Sequence, residues 1–459
     1  MGAPFRLSSQ VVTLKGDHGW SLINWLNLEN FSINDTRHPL FEYLESDAEH
    51  IEQFTVNGSR ETWDYLVENY FVVRHQDEIK PFLTKELAQI SENSRTLQLI
   101  LLPVNQACNF DCVYCYEDHD LRHSMKQRDR DIILDFIKAS APEVLQIEFF
   151  GGEPLLGKKF IVDLCAAIKA EEAFADMQFT ASMTTNGYLL DIDTFRLLSG
   201  LGFEHFQITL DGLPEDHNSL RPLKGGDASF DAIFQNLRAI SDLTDEPVSI
   251  VVRVNYNQES LHLDKLKQFN LQICSGFTND PRFQFIFKPI GEYGSDNAEK
   301  ANALCQDTHS EELESHLLGE LEKTGSDLGT LISYMKRSHF CYAGKQNNYL
   351  LFPACESEDG RTMKVGKCTV ALDDTTNFVG HLHPGGKLEI NSNFSKWVAN
   401  SESFEIKCMD CFLVTQCYAS ACPAANIEFN KKVCPRVHQT KEDLSKRIVS
   451  LCQKEAIFQ

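Results

Sequence analysis

The 459-residue chain has no run of about 18 apolar residues, so the sequence offers nothing that would cross a bilayer as a helix. Its opening, Met1-Gly-Ala-Pro-Phe-Arg6, lacks the charged-then-apolar pattern of a secretory signal, and a cytoplasmic location is the expectation. Positive charge is scarce as well. There are 43 Lys and Arg against 66 Asp and Glu, a formal net charge of -23. That balance removes the broad basic face on which binding to nucleic acid or an anionic membrane depends, so neither is expected as a partner. A local basic strip from Arg122 to Arg130 reads as a solvated helix face. Internal repeats and low-complexity tracts are also missing. No G-x-G-x-x-G follows the first apolar strand, which leaves a dinucleotide-binding reading without support at its usual place.

Cysteine is what the chain does have. Fifteen cysteines without an export signal argue for metal ligation over a disulfide framework, because the cytosol keeps thiols reduced. Cys165, Cys274, Cys305 and Cys452 stand alone and read as packing residues. Cys108, Cys112 and Cys115 do not. They lie in Cys108-Asn-Phe-Asp-Cys112-Val-Tyr114-Cys115, an odd number of thiols with three and two residues between them. A structural zinc site closes its shell with four ligands, whereas three thiolates can hold three irons of a cubane and leave the fourth open. Taken alone, the motif also fits a zinc knuckle or reduced surface thiols.

Around these cysteines the apolar pattern alternates strands with helices. Leu97–Val104, Val144–Phe150, Met177–Thr184, His205–Leu210, Val248–Tyr256 and Phe283–Ile290 are six runs of strand length. Between the fourth and fifth, Phe230, Ile233, Phe234, Leu237 and Ile240 form one helical stripe, as on a helix packed outside a parallel sheet. Six βα units predict an α/β fold, a partial (β/α)6 barrel, with a doubly wound open sheet as the alternative. Reactive groups in such barrels sit at the C-terminal ends of the strands, and the three-cysteine loop follows the first. The second strand ends in Phe150-Gly151-Gly152-Glu153-Pro154. Two glycines let backbone approach a ligand, and the Glu supplies an acceptor for a ligand amine.

Together the three-cysteine motif, with Tyr114 before its last cysteine, and the Gly-Gly-Glu-Pro turn resemble the radical S-adenosylmethionine (radical SAM) enzymes. The resemblance extends from Leu97 to Ile290 through Thr184-Thr185-Asn186-Gly187, Ile208-Thr209-Leu210-Asp211-Gly212 and Arg253-Val254-Asn255. It implies a [4Fe-4S] cluster on Cys108, Cys112 and Cys115. It also implies S-adenosylmethionine held by Gly151, Gly152, Glu153, Pro154 and Asn186, with Thr209 and Asp211 near its methionine or ribose end and Arg253 and Asn255 near its far side. In that family one electron breaks the sulfonium carbon–sulfur bond, and the 5'-deoxyadenosyl radical takes a hydrogen atom from substrate. The cofactor carries the difficult chemistry and the protein orients it. No catalytic side chain is assigned.

The remaining cysteines crowd between Cys341 and Cys434. Their C-x2-C pair fits a zinc ribbon or iron equally when read in isolation. Behind a radical SAM core the segment resembles the SPASM extension, which implies two auxiliary [4Fe-4S] clusters: one on Cys341, Cys368 and Cys422 with Cys355 as fourth ligand, the other on Cys408, Cys411, Cys417 and Cys434. The Cys341–Cys368 stretch and the four residues between Cys417 and Cys422 are both longer than the usual spacing.

The expected organisation is an N-terminal winged-helix-like α+β domain (residues 1–95), the barrel (96–295), a helical connector (296–340), the SPASM-like domain (341–436) and a C-terminal helix (437–459). Within the first, helices are expected near Arg37–Glu45 and Glu61–Asn69, with a strand over Tyr70–Arg74. SPASM enzymes chiefly modify peptides and proteins. The resemblance therefore implies a precursor peptide or protein as substrate and an external one-electron donor such as flavodoxin or ferredoxin. An N-terminal domain of this kind would capture a leader peptide by adding a strand to its sheet. The competing branch is the anaerobic sulfatase-maturating enzyme, which makes formylglycine. That group places an acid directly after the cysteine matching Cys368; here Thr369 stands there, with Asp373 and Asp374 out of register. A non-catalytic iron–sulfur or zinc protein that binds peptide or carries electrons is the alternative from another class. His119, His381 and His383 read as exposed turns.

Overall fold

In the computed structural model, residues 11–16, 19–24 and 30–33 pair as an antiparallel sheet. The structure describes residues 4–290 and 340–434, apart from 17–18, 28, 47–49, 52–58, 119–122, 244–245, 258, 261, 278, 358–359, 400–403, 419–421 and 432–433, together with 441–442 and 445–446. The chain divides into two units: residues 1–92, 331–344 and 399–459 form one, and residues 93–330 and 345–398 the other. The expected connector and C-terminal helix fall almost wholly outside the described residues, as do His119, Cys305 and Cys452.

In the first unit, β1 (Arg6–Leu7) precedes β2 (Val11–Gly16), β3 (Gly19–Asn24) and β4 (Asn30–Ile33). Helices α1 (Pro39–Leu44) and α2 (Ser59–Glu68) follow, then β5 (Val72–Val73), which pairs with β1, and α3 (Lys80–Ser91). The two helices and the strand stand where the sequence places them. The β2-β3-β4 sheet was not expected, because its strands bury few apolar residues: Val12 in β2, Leu22 and Ile23 in β3 and Ile33 in β4. Leu22, Ile33, Leu40, Trp63, Leu66 and Phe71 are all buried in one cluster over that sheet.

A second cluster joins Val73, Ile79, Leu83 and Leu87 to Cys408, Met409, Val414 and Tyr418. The N-terminal residues and the late cysteine segment therefore share a core. Polar contacts reinforce it. Gln10 is fully buried and donates through Nε2 to the carbonyls of Met409 (2.7 Å) and Cys411 (3.0 Å), and Gln76 donates to Met409 O at 3.0 Å.

The second unit holds the six expected strands: β6 (Thr96–Leu101), β7 (Val144–Phe149), β8 (Gln178–Thr185), β9 (Phe203–Thr209), β10 (Ser249–Tyr256) and β11 (Phe283–Pro289). They are parallel and lie side by side in chain order. Helices α4 (Gln127–Ser140), α5 (Lys158–Ala170), α6 (Ile192–Gly200), α7 (Pro214–Leu220), α8 (Phe230–Ser241) and α9 (Leu263–Gln272) occupy the crossovers. A doubly wound sheet reverses its strand order at a switch point; this one never does. With right-handed crossovers all running one way, the helices collect on one face and the sheet curls toward a barrel.

The side chains agree. Leu145, Ile147 and Phe149, with Phe206 and Ile208, are buried on the helix side, where Phe195 of α6 meets Phe206 at 5.4 Å between ring centroids. Residues of the opposite set, among them Gln146, Glu148, Thr184 and Gln207, remain partly or fully exposed.

The sheet does not stop at β6. Strand β12 (Asn348–Leu351) pairs parallel with β6, and β14 (Gly360–Gly366), β15 (Gly380–Leu382) and β16 (Leu388–Ile390) extend it antiparallel, with β13 (Cys355–Ser357) on the flank of β14. These short strands were not legible as strands. The His383-Pro-Gly-Gly386 turn packs on α4: a Cβ on Gly386 would lie 2.5 Å from the Asp135 carbonyl.

Candidate functional site

The C-terminal ends of β6 to β10 converge the residues singled out from the sequence, with the three-cysteine loop as their centre. That loop is held by its backbone. Asp111 N–H donates to Pro222 O (2.9 Å), Val113 N–H to Leu220 O (3.0 Å) and Lys224 N–H to Asn109 O (2.9 Å), so residues 109–113 are stapled to the end of α7 and the segment after it. Phe110 is fully buried at the centre of the staple.

From the other side the Gly151-Gly152 turn presses on the loop. Both glycines have positive φ (+86° and +55°), and a Cβ on Gly152 would lie 2.0 Å from the carbonyl oxygen of Ala107. Only glycine permits that approach. Glu153 N–H donates to the same Ala107 O at 2.9 Å. The turn thus touches the residue immediately before Cys108.

The Glu153 side chain, expected from the sequence as an acceptor for a ligand amine, already accepts from several groups of the protein. It is fully buried, and its oxygens accept from Leu155 N–H (2.9 Å), Thr185 O–H (2.8 Å) and Asn186 N–H (2.8 Å). Those bonds tie the end of β7 to the end of β8. Its carboxylate holds the turn, and the backbone of the turn faces the loop. Burial pushes its pKa up against the pull of these hydrogen bonds. Pro154 opens the short turn that Glu153 caps. Asn186 reaches across to the cysteine loop, donating to Asn109 Oδ1 at 2.8 Å.

Asp211, Arg253 and Asn255 belong to one buried network with two residues that sequence reasoning left without a role, Tyr114 and Arg221. The Tyr114 hydroxyl donates to Asp211 and accepts from Arg221 Nη1 (2.7 Å) and Asn255 Nδ2 (3.1 Å). Asp211 also accepts from Asn255 N–H at 2.7 Å, and Arg253 Nε donates to Asn255 Oδ1 at 2.8 Å. Arg221 stands over the rings of Phe110 and Tyr114, 5.6 and 6.0 Å from their centroids. His217 accepts from Asp211 N–H at 2.9 Å, and burial holds its pKa well below the usual value, so it stays neutral. The network links the cysteine loop to the ends of β9 and β10. Thr209 is buried at the end of β9, level with Arg253.

Glu117, also unassigned from sequence, accepts from Gly152 N–H at 2.6 Å, and burial raises its pKa to about 7. Beside it, Asp373 is exposed and forms a long contact, 3.5 Å, with Gln106 Nε2, while Thr369 is buried.

The description of the radical SAM superfamily matches residues 102–262, the span that carries every contact just given on β6 to β10. Residues 102–262 are a radical SAM domain. Fe-coproporphyrin III synthase of Methanosarcina barkeri is 25% identical over 182 residues, 39% of this chain and 41% of its own length. The sporulation killing factor maturation protein SkfB of Bacillus subtilis is 28% identical over 160 residues, 35% of this chain and 36% of its own. The chain spans about half the length of the first curated relatives it matches. Among solved structures, native anSMEcpe with bound AdoMet and a Cp18Cys peptide shares the fold at a TM-score of 0.50 and 17% identity, covering 70% of this chain and 88% of that one.

Radical SAM domains use a [4Fe-4S] cluster and S-adenosylmethionine, and the donor set at the loop fits the cluster. Cys108, Cys112 and Cys115 are close enough for their charges to raise one another's pKa. Burial is the larger cause and pushes the Cys108 thiol up to about 12. Such thiols ionise when metal binding displaces their protons. Phe110 N–H donates to Cys108 Sγ at 3.4 Å, a bond that favours the thiolate. Among the described residues no three His, Cys, Asp or Glu side chains converge on a single ion; a cubane takes each thiolate at a different iron.

The later cysteines are distributed between the two units. Cys408, Cys411, Cys417, Cys422, Cys434 and Cys341 lie in the first, and Cys355 and Cys368 in the second. Cys368 repeats the local geometry of Cys108: its Sγ accepts from Val370 N–H at 3.4 Å. Buried Asn377 fixes it, accepting from Lys367 N–H (2.9 Å) and Cys368 N–H (2.8 Å) and donating to Cys368 O (2.9 Å) and Ala371 O (2.8 Å). Cys165 and Cys274 are buried packing residues, as expected.

Proposed function

We propose that the protein is a radical SAM enzyme that matures a ribosomally made peptide, with Cys108, Cys112 and Cys115 holding the SAM-binding cluster. The observation that carries this reading is the pinned geometry of the loop. Gly152 and Glu153 bear on the residue before Cys108, and Asn186 and the Tyr114 network hold the same loop from β8, β9 and β10. When bound, the cluster and S-adenosylmethionine supply an electron and a 5'-deoxyadenosyl radical that takes a hydrogen atom from substrate. The chain's own residues orient that chemistry. The two-glycine turn brings backbone to the open side of the loop, Glu153 fixes the turn, and the Tyr114 hydroxyl sets the spacing between the loop and the ends of β9 and β10.

Two considerations favour a peptide substrate. One similar protein, SkfB, is by name a maturation protein for a sporulation killing factor. The other is the first unit, where, among the described residues, β2 and β4 form the two edges of their sheet, the kind of edge to which a peptide strand adds. The auxiliary cluster on Cys408, Cys411, Cys417 and Cys434 belongs to this proposal, as does an external one-electron donor.

Anaerobically reconstituted, reduced protein is expected to convert S-adenosylmethionine to 5'-deoxyadenosine, and the C108A/C112A/C115A triple variant is expected to lose that conversion. Conversion that survives in the triple variant would overturn the assignment. Iron and sulfide analysis separates about four irons per chain from the roughly eight that this auxiliary cluster brings and the roughly twelve of the two that the resemblance implies, and zinc without sulfide would overturn the redox reading.

A further inference from the structure

We propose that Glu148, on the inner face of the parallel sheet, recognises a positively charged side chain of the substrate, lysine or arginine; the inference rests on the peptide-maturation reading above. Along β7, Leu145, Ile147 and Phe149 are turned to the helices and fully buried, so Gln146 and Glu148 point the opposite way. The register places Gln98 beside Gln146, Ser182 beside Glu148 and Gln207 beside Thr184. The inner face is therefore polar and partly exposed over several strands. Closed barrels fill this space with branched apolar side chains. Here it is furnished for a polar ligand.

Glu148 is the acid on that face, and its protein partner is modest. Its Oε1 accepts from Thr184 O–H at 3.2 Å, and Thr184 Oγ1 also receives Gln207 Nε2 at 3.5 Å. Among the described residues no cation lies within ion-pair distance of Glu148. Arg253 stands on the same face nearer the strand ends, with Nε on Asn255. His205, level with Ser182, is kept neutral because burial lowers its pKa. A partly buried carboxylate with no cation beside it is costly, and burial accordingly raises its pKa. The missing partner is one that arrives from outside. Gly151 lies three residues further along the chain, so by strand rise Glu148 sits roughly 10 Å below the turn. A basic side chain anchored there would hold neighbouring carbons of the peptide beneath the loop.

Ligand-observed NMR on the full chain tests this with the N-acetyl N-methylamides of lysine, arginine, norleucine and glutamate. Wild type is expected to bind the lysine or arginine probe at least tenfold more tightly than the norleucine probe. Glu148→Gln is expected to lose that preference while keeping its iron content and its circular dichroism. Glu148→Lys is expected to shift the preference to the glutamate probe. Equal binding of all probes by wild type, or a preference for basic probes undiminished in Glu148→Gln, would overturn the proposal. Cleavage of S-adenosylmethionine without peptide, measured in parallel, reports separately on the functional reading. Its loss in wild type would refute that reading whatever the probes show.

Discussion

Replacing Gly152 with Ala tests whether the two-glycine turn holds the cysteine loop in place. The new Cβ would stand 2.0 Å from Ala107 O and 2.6 Å from the Gln106 carbonyl carbon, both backbone atoms that cannot swing aside. A φ of +55° adds strain of about 1–2 kcal/mol for a residue with a side chain. Relief of the clash requires the turn and loop to separate, which breaks the Glu153 N–H bond to Ala107 O, worth about 0.5–1.5 kcal/mol. The sum is about 1.5–3.5 kcal/mol, concentrated at the residue preceding Cys108.

A matched control exists in Gly385. It has φ +77° but nothing within 4 Å of its Cβ position, so Gly385→Ala incurs the strain alone. Thermal denaturation of both variants, with iron content and the iron–sulfur absorbance after reconstitution, makes the comparison. Gly152→Ala is expected to melt lower than Gly385→Ala and to take up markedly less iron. Equal melting points and equal iron would refute the idea that the turn positions the loop.

Tyr114→Phe deletes the hydroxyl that joins Asp211, Arg221 and Asn255. Stranding buried charged partners should cost about 2–4 kcal/mol in denaturant unfolding, and an unchanged midpoint would dismiss the network as a stabilising element. Asn377→Ala removes four bonds around Cys368 and should lower stability by about 2–4 kcal/mol, whereas a variant as stable as wild type would count against that hub. Glu148→Gln gives a pH signature. The folded carboxyl has a raised pKa, so its contribution is fully present below the unfolded value near 4.3 and is lost as pH rises through the folded one. The variant should therefore be more stable than wild type at pH 7, with the gain shrinking toward pH 4. A gain that is constant with pH would contradict the burial argument.

The six parallel strands were legible because each is a run of buried residues bounded by turns, and the α8 stripe, with Phe230, Ile233, Leu237 and Ile240 buried, marked the helix side of the sheet. The same apolar criterion passed over β2 to β4 and β12 to β16, whose strands are short and owe their burial to distant partners. Asn348, for example, meets Gln98, 250 residues away. At the site, the cysteines and the two-glycine turn were readable because their chemistry is local. The bond between Arg221 and Tyr114 was not, since nothing in a sequence announces a contact across 107 residues. Glu153 was read as an acceptor, and its protein donors at the end of β8 lay beyond what the sequence shows.

The pairing of β6 with β12 has a consequence for biogenesis. Strands β6 to β11 lie in the order in which they are synthesised, each beside its predecessor, but the outer side of β6 is covered only by residues 348–351. Leu102 N–H, at the root of the cysteine loop, bonds to Leu351 O. A nascent chain shorter than this carries the loop on an open sheet edge, exposed to wrong pairing and to premature metal. The loop's final setting is thus complete only once a strand more than 200 residues downstream of the cysteines has been made.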